Sequence, residues 1–255
     1  MKKMFLLAFC LFLLGACGNT SAGGNDELLI STASSLSGAM QSIKEDFQKQ
    51  YPDIKLAFNY GSSSKLSNQL QQGAPADVFL SASEDDMDRL IQKKIIIEET
   101  VVNFARNELV LASSRILPSQ DLDDLLADED MLFAVGEPDS VPLGFYTKEA
   151  LMNLGLWEMI DDQVIFAKDA RQVLSYVESE NTEAGFVYAS DARISTQIET
   201  IIEVHGNEQI IYPAAIVEST VNREAADKFL GFLLSDKGQQ IFKDYGFTTA
   251  KGDLP

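Results

Sequence analysis

Short apolar runs alternate along this chain with longer stretches in which apolar residues recur every three or four positions. Leu28 to Ala33 (LLISTA) is a run of strand length, and Leu36, Ala39, Met40, Ile43 and Phe47 follow at helical spacing. The spacing predicts a buried strand and then an amphipathic helix over about 37–50, broken at Tyr51-Pro52-Asp53. Ile54 to Tyr60 reads as a second strand with Ile54, Leu56 and Phe58 on one face. A short helix carrying Leu66 and Leu70 comes next and stops at Gly73. Ala76 to Ala82 is a third strand. Ser83 with Glu84, Asp85 and Asp86 then opens a helix with a capping hydroxyl and acids in the first turn, where the helix dipole favours negative charge.

Asn107 to Ala112 (NELVLA) is a further strand, after which the pattern restarts. Helices are predicted at Leu122–Leu126, Tyr146–Met159 and Arg171–Glu178, with strands at Met131–Val135, Val164–Ala167 and Ala184–Tyr188. Ile210 to Val217 is a late strand, and one helical pattern runs from Asn222 to Tyr245. The alternation predicts an α/β protein with mixed, mostly parallel sheets flanked by helices. Two α/β series joined by one extended crossing, with a return strand near the end, predict two lobes and a hinge. Within the body the only Gly/Ser-rich stretch is Gly61-Ser62-Ser63-Ser64, and it lies between a strand and a helix. That position argues for an ordered turn rather than a linker.

The chain has 255 residues, 45% hydrophobic and 23% charged, enough to bury a sizeable core. Its formal charge of −19 argues against a nucleic-acid partner, which needs a basic face. Lys2 and Lys3 precede an uncharged apolar run, Met4 to Ala16, too short to span a bilayer but suited to a signal peptide. Its end, Leu14-Gly15-Ala16-Cys17, resembles the lipobox of bacterial lipoproteins. The resemblance implies a signal peptide over 1–16, cleavage before Cys17, and a lipid on its sulfur. Residues 17–26 would form a flexible tether. Cys10 would leave with the signal, so no cysteine remains for a disulfide or thiol chemistry.

Catalysis finds little support. The only histidine is His205, and no Gly-x-Ser-x-Gly elbow is present. A serine hydrolase built on Ser35 or Ser63 would have to recruit that one base. No His/Cys metal set, Walker lysine motif or dinucleotide fingerprint occurs, and the acidic run 121–130 lacks the glycine and alternating ligands of an EF-hand loop. No enzyme activity, cofactor or bound metal cation is expected. What remains is four strand-to-helix junctions: Ala33-Ser34-Ser35-Leu36, Ser62-Ser63-Ser64, Val141-Pro142-Leu143-Gly144 and Lys168-Asp169-Ala170-Arg171. Each helix start leaves N–H groups unpaired and carries partial positive charge, which suits an anion. Open α/β sheets bind ligands beyond the carboxyl ends of their strands, where all four junctions lie. Taken singly, Ser35 and Ser63 read as ordinary N-caps. Taken together, the turns of two lobes can converge on one ligand.

Several blocks together resemble the molybdate-binding proteins of bacterial ABC importers, type II periplasmic binding proteins. They are Ala33-Ser34-Ser35-Leu36, Gly61 to Leu66 (GSSSKL), Gln72 to Ala82 (QGAPADVFLSA), Gly136-Glu137-Pro138 with Val141 to Tyr146 (VPLGFY), and Gly185 to Ala192 (GFVYASDA). The resemblance covers about Leu28 to Phe247. It implies a two-lobed fold with the ligand in the interlobe cleft: lobe 1 from 27–107 plus 216–255, lobe 2 from 108–215, and hinge strands near 103–110 and 211–217. It also implies a molybdate or tungstate oxyanion held by neutral donors. Ser35 and Ser63 would each give a hydroxyl and an N–H, Leu143 and Ala170 an N–H, and Tyr188 its phenol. Pro142 would aim the Leu143 N–H. Leu143 departs from the small residue expected there and Ala170 from a common valine; backbone donation survives both, so only pocket shape is affected. Asp77 and Asp191 read as structural, since a carboxylate beside the ligand would repel it. The implied partners are an ABC permease with its ATPase and the extracytoplasmic face of the cell membrane through Cys17, with the protein a monomer. The same fold could instead take sulfate or a small organic anion. Trp157, the single tryptophan, is expected to pack, and would report closure only if it lay near the cleft.

Overall fold

The computed structural model of the chain describes residues 26–206 and 209–249. The signal segment 1–16, Cys17 and the tether up to residue 25 lie outside the described residues. In chain order the elements begin β1 (Asp26–Ala33), α1 (Ser37–Gln50), β2 (Ile54–Gly61), α2 (Ser63–Gln71), β3 (Val78–Leu80), α3 (Glu84–Gln92), β4 (Val102–Asn107) and β5 (Leu109–Ser113). They continue with α4 (Leu122–Leu126), β6 (Phe133–Gly136), α5 (Pro142–Leu154), β7 (Val164–Ala167), α6 (Ala170–Glu178), β8 (Ala184–Tyr188) and α7 (Ala189–Ile194). The last are β9 (Thr200–Glu203), β10 (Ile210–Ile216), α8 (Arg223–Leu234), α9 (Asp236–Asp244) and β11 (Thr248–Thr249).

The strands form two sheets, ordered β11-β4-β10-β3-β1-β2 and β7-β6-β8-β5-β9, one for each lobe. Both are mixed. In the first, β1 runs parallel to β2 and β3, while β10 is antiparallel to β3 and β4. In the second, β6 is parallel to β7 and β8, while β5 is antiparallel to β8 and β9. The parallel halves hold the βα turns; the antiparallel strands carry the chain between sheets. Where one strand was expected at 107–112 there are two, and only Glu108 separates β4 from β5 as the chain crosses over. All of β10 pairs within the first sheet, so the return passage lies after Glu203 and before Ile210, upstream of the lobe boundary expected at 216. An apolar run such as IIYPAAIV shows that a strand is buried but not which sheet accepts it. Pro213 is tolerated inside this strand because the β4 register shifts between Tyr212 and Pro213, where no ladder N–H is needed.

Local sequence explains most element ends. Helix α5 starts at Pro142, earlier than the periodicity suggests, because proline is well suited to the first helical position. It stops at Gly155, whose φ of 75° is left-handed, so the pattern reading on to Met159 covers a helix and a separate turn. The single helix expected over 222–245 is two: Ser235 is extended, and its Oγ caps α9 by accepting from Gly238 N at 3.1 Å. The first sheet is packed on both faces. Leu28, Ile30, Val78 and Leu80 belong to the main core with α1 and α8, where Phe47 meets Phe229 and Phe232 edge-on. Phe79 and Ala215 face the other way, onto Leu66, Leu70, Met87 and Leu90 of α2 and α3. Alternate side chains of one short strand thus anchor two layers of helices.

Candidate functional site

The carboxyl ends of β1, β2, β6 and β7 point at one place. The four junctions that follow them, with Tyr188 at the end of β8, enclose a small cavity of about 10 Å³. Ser35 and Ser63 line it from the first lobe, and Leu143, Ala170 and Tyr188 from the second. Pockets for drug-sized ligands run about 300–1,000 Å³, so a cavity of this size is far too small for one. No carboxylate is among its lining residues.

Each group is placed by its local sequence. The cap of α2 is Ser62, whose Oγ accepts from Lys65 N; Ser63 is the first helical residue. Ser35 sits inside a 3₁₀ turn over Ser34–Leu36 and caps nothing. The reading of these two serines as N-caps therefore fails, and both hydroxyls are free for other work. Ser63 Oγ accepts from Ala82 N at 2.9 Å, which leaves its own O–H to donate. Ser35 Oγ lies 3.1 Å from Tyr212 Oη. Ser64, by contrast, turns away and donates to Asp86 Oδ2 at 2.7 Å. Ser63 and Ala170 are the first residues of their helices and Leu143 the second, so their N–H groups have no acceptor within the helix. Asp169 caps α6 by accepting from Gln172 N at 2.9 Å. The start of α5 lies so close to β6 that a Cβ on Gly144 would stand 1.9 Å from Gly136 O. Glycine at 144 is what lets the Pro142-Leu143 turn reach the cavity.

Tyr188 is the least satisfied group of the set. It is 1% exposed, and its Oη finds no hydrogen-bond partner among the described residues. Burial pushes its phenol well above the usual value of 10, so the group keeps its proton and remains a donor. The cavity thus presents hydroxyls and N–H groups and no acceptor that carries charge.

Three hydrogen bonds cross between the lobes around this cavity. Ser62 Oγ donates to Ser140 O, Lys65 Nζ donates to Lys168 O at 3.2 Å, and Arg171 Nε donates to Ser37 Oγ at 2.8 Å. The junctions that line the cavity therefore also hold its two walls together.

Asp77 and Asp191 do lie outside the lining. Asp77 accepts from Leu29 N at 2.7 Å and from Thr220 Oγ1 at 2.5 Å, tying β1 to the segment after β10. Asp191 is 1% exposed with Arg171 Nη1 3.5 Å away. Burial pushes its carboxyl up to about 7, against the pull of Arg171 and with a smaller push from Glu178. The folded state then holds a proton that the unfolded chain releases near its ordinary 3.8, so this group's contribution to stability falls as pH rises from about 4 to 7. Thermal unfolding at stepped pH should show wild type losing stability relative to Asp191→Asn across that window, with the gap level above it. Parallel profiles for the two proteins would remove Asp191 as the cause.

His205 lies elsewhere, with Nε2 3.8 Å from Glu203, and does not line the cavity, so neither Ser35 nor Ser63 has a base. Trp157 packs beneath Lys148, whose Nζ is 5.6 Å from the ring centroid, and is also absent from the lining. No group of His, Cys, Asp or Glu among the described residues is arranged to hold a metal ion. Pattern reading missed Ala82, which lines the cavity beside Ser63, and Asn107 and Tyr212, which stand behind Ser35. A tyrosine inside an apolar strand was the available signal, since a buried phenol needs a polar partner.

The chain matches the family model described as bacterial extracellular solute-binding protein over residues 28–248. It is 37% identical over 255 residues to a Bacillus subtilis protein provisionally named ABC transporter substrate-binding lipoprotein YvgL, covering 96% of this chain and 97% of that one. It is 32% identical to the molybdate-binding protein ModA of Haemophilus influenzae, covering 97% and 99%. Among solved structures it resembles a substrate-binding domain assigned provisionally to a molybdenum ABC transporter of Clostridium difficile. There the TM-score is 0.68 at 39% identity, over 88% of this chain and 99% of that one.

Proposed function

The chain belongs to the bacterial extracellular solute-binding proteins, and from that premise we propose that it captures molybdate or tungstate and delivers the anion to the permease of an ABC importer. The family is one of binding proteins, and the chain is not an enzyme. The observation that supports the ligand is the meeting of Ser35, Ser63, Leu143, Ala170 and Tyr188 around a small cavity without carboxylates. A fully ionised tetrahedral dianion can only accept hydrogen bonds, and every group offered to it here can donate. Such bonds to charge are individually strong. Sulfate has the same charge and shape, so the choice between the two anions falls to the size of a cavity whose walls are set by backbone turns. The acidic body repels anions at long range, but salt screens that repulsion beyond about 8–10 Å. The interlobe hydrogen bonds then hold the lobes closed over the ligand, the state a permease would recognise.

The lipobox-like Leu14-Gly15-Ala16-Cys17 supports an anchored form, held at the outer face of the cell membrane by lipid on Cys17. A thermal-shift panel tests the ligand. A ligand bound only by the folded state at 100 times its Kd adds about 2.7 kcal/mol of stability. Molybdate and tungstate should raise the melting temperature at micromolar concentrations while sulfate does so weakly. A shift with sulfate and none with molybdate would reassign the site to the other oxyanion.

A further inference from the structure

We infer that Tyr212 and Asn107, two residues behind the cavity wall, fix which way the Ser35 hydroxyl directs its proton. The inference rests on reading the cavity as an oxyanion site. Tyr212 is fully buried on β10, and Asn107 is 2% exposed at the end of β4, where the chain crosses between lobes. Neither lines the cavity.

The direction follows from the amide. Asn107 Oδ1 accepts from Glu108 N at 3.0 Å and from Ser190 N at 3.2 Å. Backbone N–H groups only donate, so the amide cannot be flipped, and Nδ2 must be the atom facing Ser190 Oγ at 2.8 Å and Tyr212 Oη at 3.3 Å. An amide NH₂ also only donates. Tyr212 Oη therefore accepts from Asn107, and of these two partners only Ser35 Oγ, 3.1 Å away, can accept the phenol's own proton, so Tyr212 gives it there. Ser35 accepts at that lone pair and keeps its proton for the cavity. The opposite polarity would spend the Ser35 proton on Tyr212 and turn a lone pair toward an anion.

The chain of donors thus prepares Ser35 before any ligand arrives, which removes a reorientation from the binding step. Burial pushes the Tyr212 phenol far above 10, so it always has a proton to give. Ser63 reaches the same state by a simpler route, through the Ala82 N–H. Tyr212 and Asn107 are accordingly positioning residues, acting on the ligand only through Ser35.

A double-mutant cycle on the full chain separates this role from packing. Phenylalanine at 212 keeps the ring and its edge contacts with Phe104, Tyr188 and Phe247. Molybdate affinity would be measured by calorimetry for wild type, Tyr212→Phe, Ser35→Ala and the pair, with the ligand-free melting temperature of each. Tyr212→Phe should weaken binding about tenfold. In the Ser35→Ala background the same change should have no further effect, because residues acting through one another are not additive. Losses that multiply, or no loss in Tyr212→Phe, overturn the relay while leaving molybdate binding intact. A wild-type protein that gives no heat with molybdate or tungstate overturns the proposed function, and the relay with it.

Discussion

Tyr188→Phe is expected to weaken molybdate binding by about 10- to 150-fold while leaving the ligand-free protein at least as stable as wild type. The two effects have opposite signs because the phenol oxygen has no hydrogen-bond partner among the described residues. Tyr188 is buried at the end of β8, and its Oη is unsatisfied among the described residues. An orphaned buried hydroxyl costs about 1–3 kcal/mol, so its removal relieves the folded state. The ring stays, with its packing against Tyr212 at 5.9 Å between centroids. A ligand oxygen would satisfy that hydroxyl, and a hydrogen bond to a charged group contributes about 1.5–3 kcal/mol, which sets the expected loss of affinity. Calorimetry with molybdate and ligand-free melting decide the matter together. Unchanged affinity would take Tyr188 out of the site, and a large loss of ligand-free stability would show that the hydroxyl serves the fold instead.

Ser63→Ala should weaken molybdate binding by a similar factor, about 10- to 150-fold, but with a loss of ligand-free stability beside it. Here the hydroxyl has two roles. It faces the cavity as a donor, and it accepts from Ala82 N at 2.9 Å. Alanine would strand that buried N–H at about 1–3 kcal/mol. The neighbouring serines provide the contrast. Ser62 caps α2 and donates across the cleft to Ser140 O, so Ser62→Ala should cost about 1 kcal/mol of stability and reduce affinity through closure, by no more than about tenfold. Ser64→Ala breaks a bond to Asp86 and should leave affinity nearly unchanged. Equal losses from Ser62→Ala and Ser63→Ala would mean that the turn, and not the Ser63 hydroxyl, does the binding.

Much of the fold was legible in the linear pattern. Helix α1 over Ser37–Gln50 follows from Leu36, Ala39, Met40, Ile43 and Phe47, and α3 from Ser83 and three acids. Those signals are local: side-chain period and first-turn chemistry act over one or two helical turns. Errors came where the deciding contact was distant. Strands β9 and β11 were not foreseen, the hinge strand expected near 103–110 is split between β4 and β5, and the 222–245 pattern concealed a break at Ser235, because apolar spacing persists across a change of axis. The whole of β10 went to the first sheet because β3 and β4 accept its backbone bonds, a choice the composition of the strand does not encode.

The candidate site divides in the same way. By itself the sequence determined that four strand-to-helix turns follow apolar strands, that no base or metal cluster accompanies the serines, and that the first turns of the helices must leave N–H groups unpaired. Each of these is a property of residue type and short spacing. Only the tertiary structure decided that the turns share one cavity, that Ser62 rather than Ser63 caps α2, and that the Tyr188 hydroxyl has no hydrogen-bond partner among the described residues. It also brought Tyr212 and Asn107, far from Ser35 in the chain, to the back of that serine. The physical reason is that a hydroxyl can donate or accept. Which it does is set by the neighbours that packing supplies, and the linear chain does not name them.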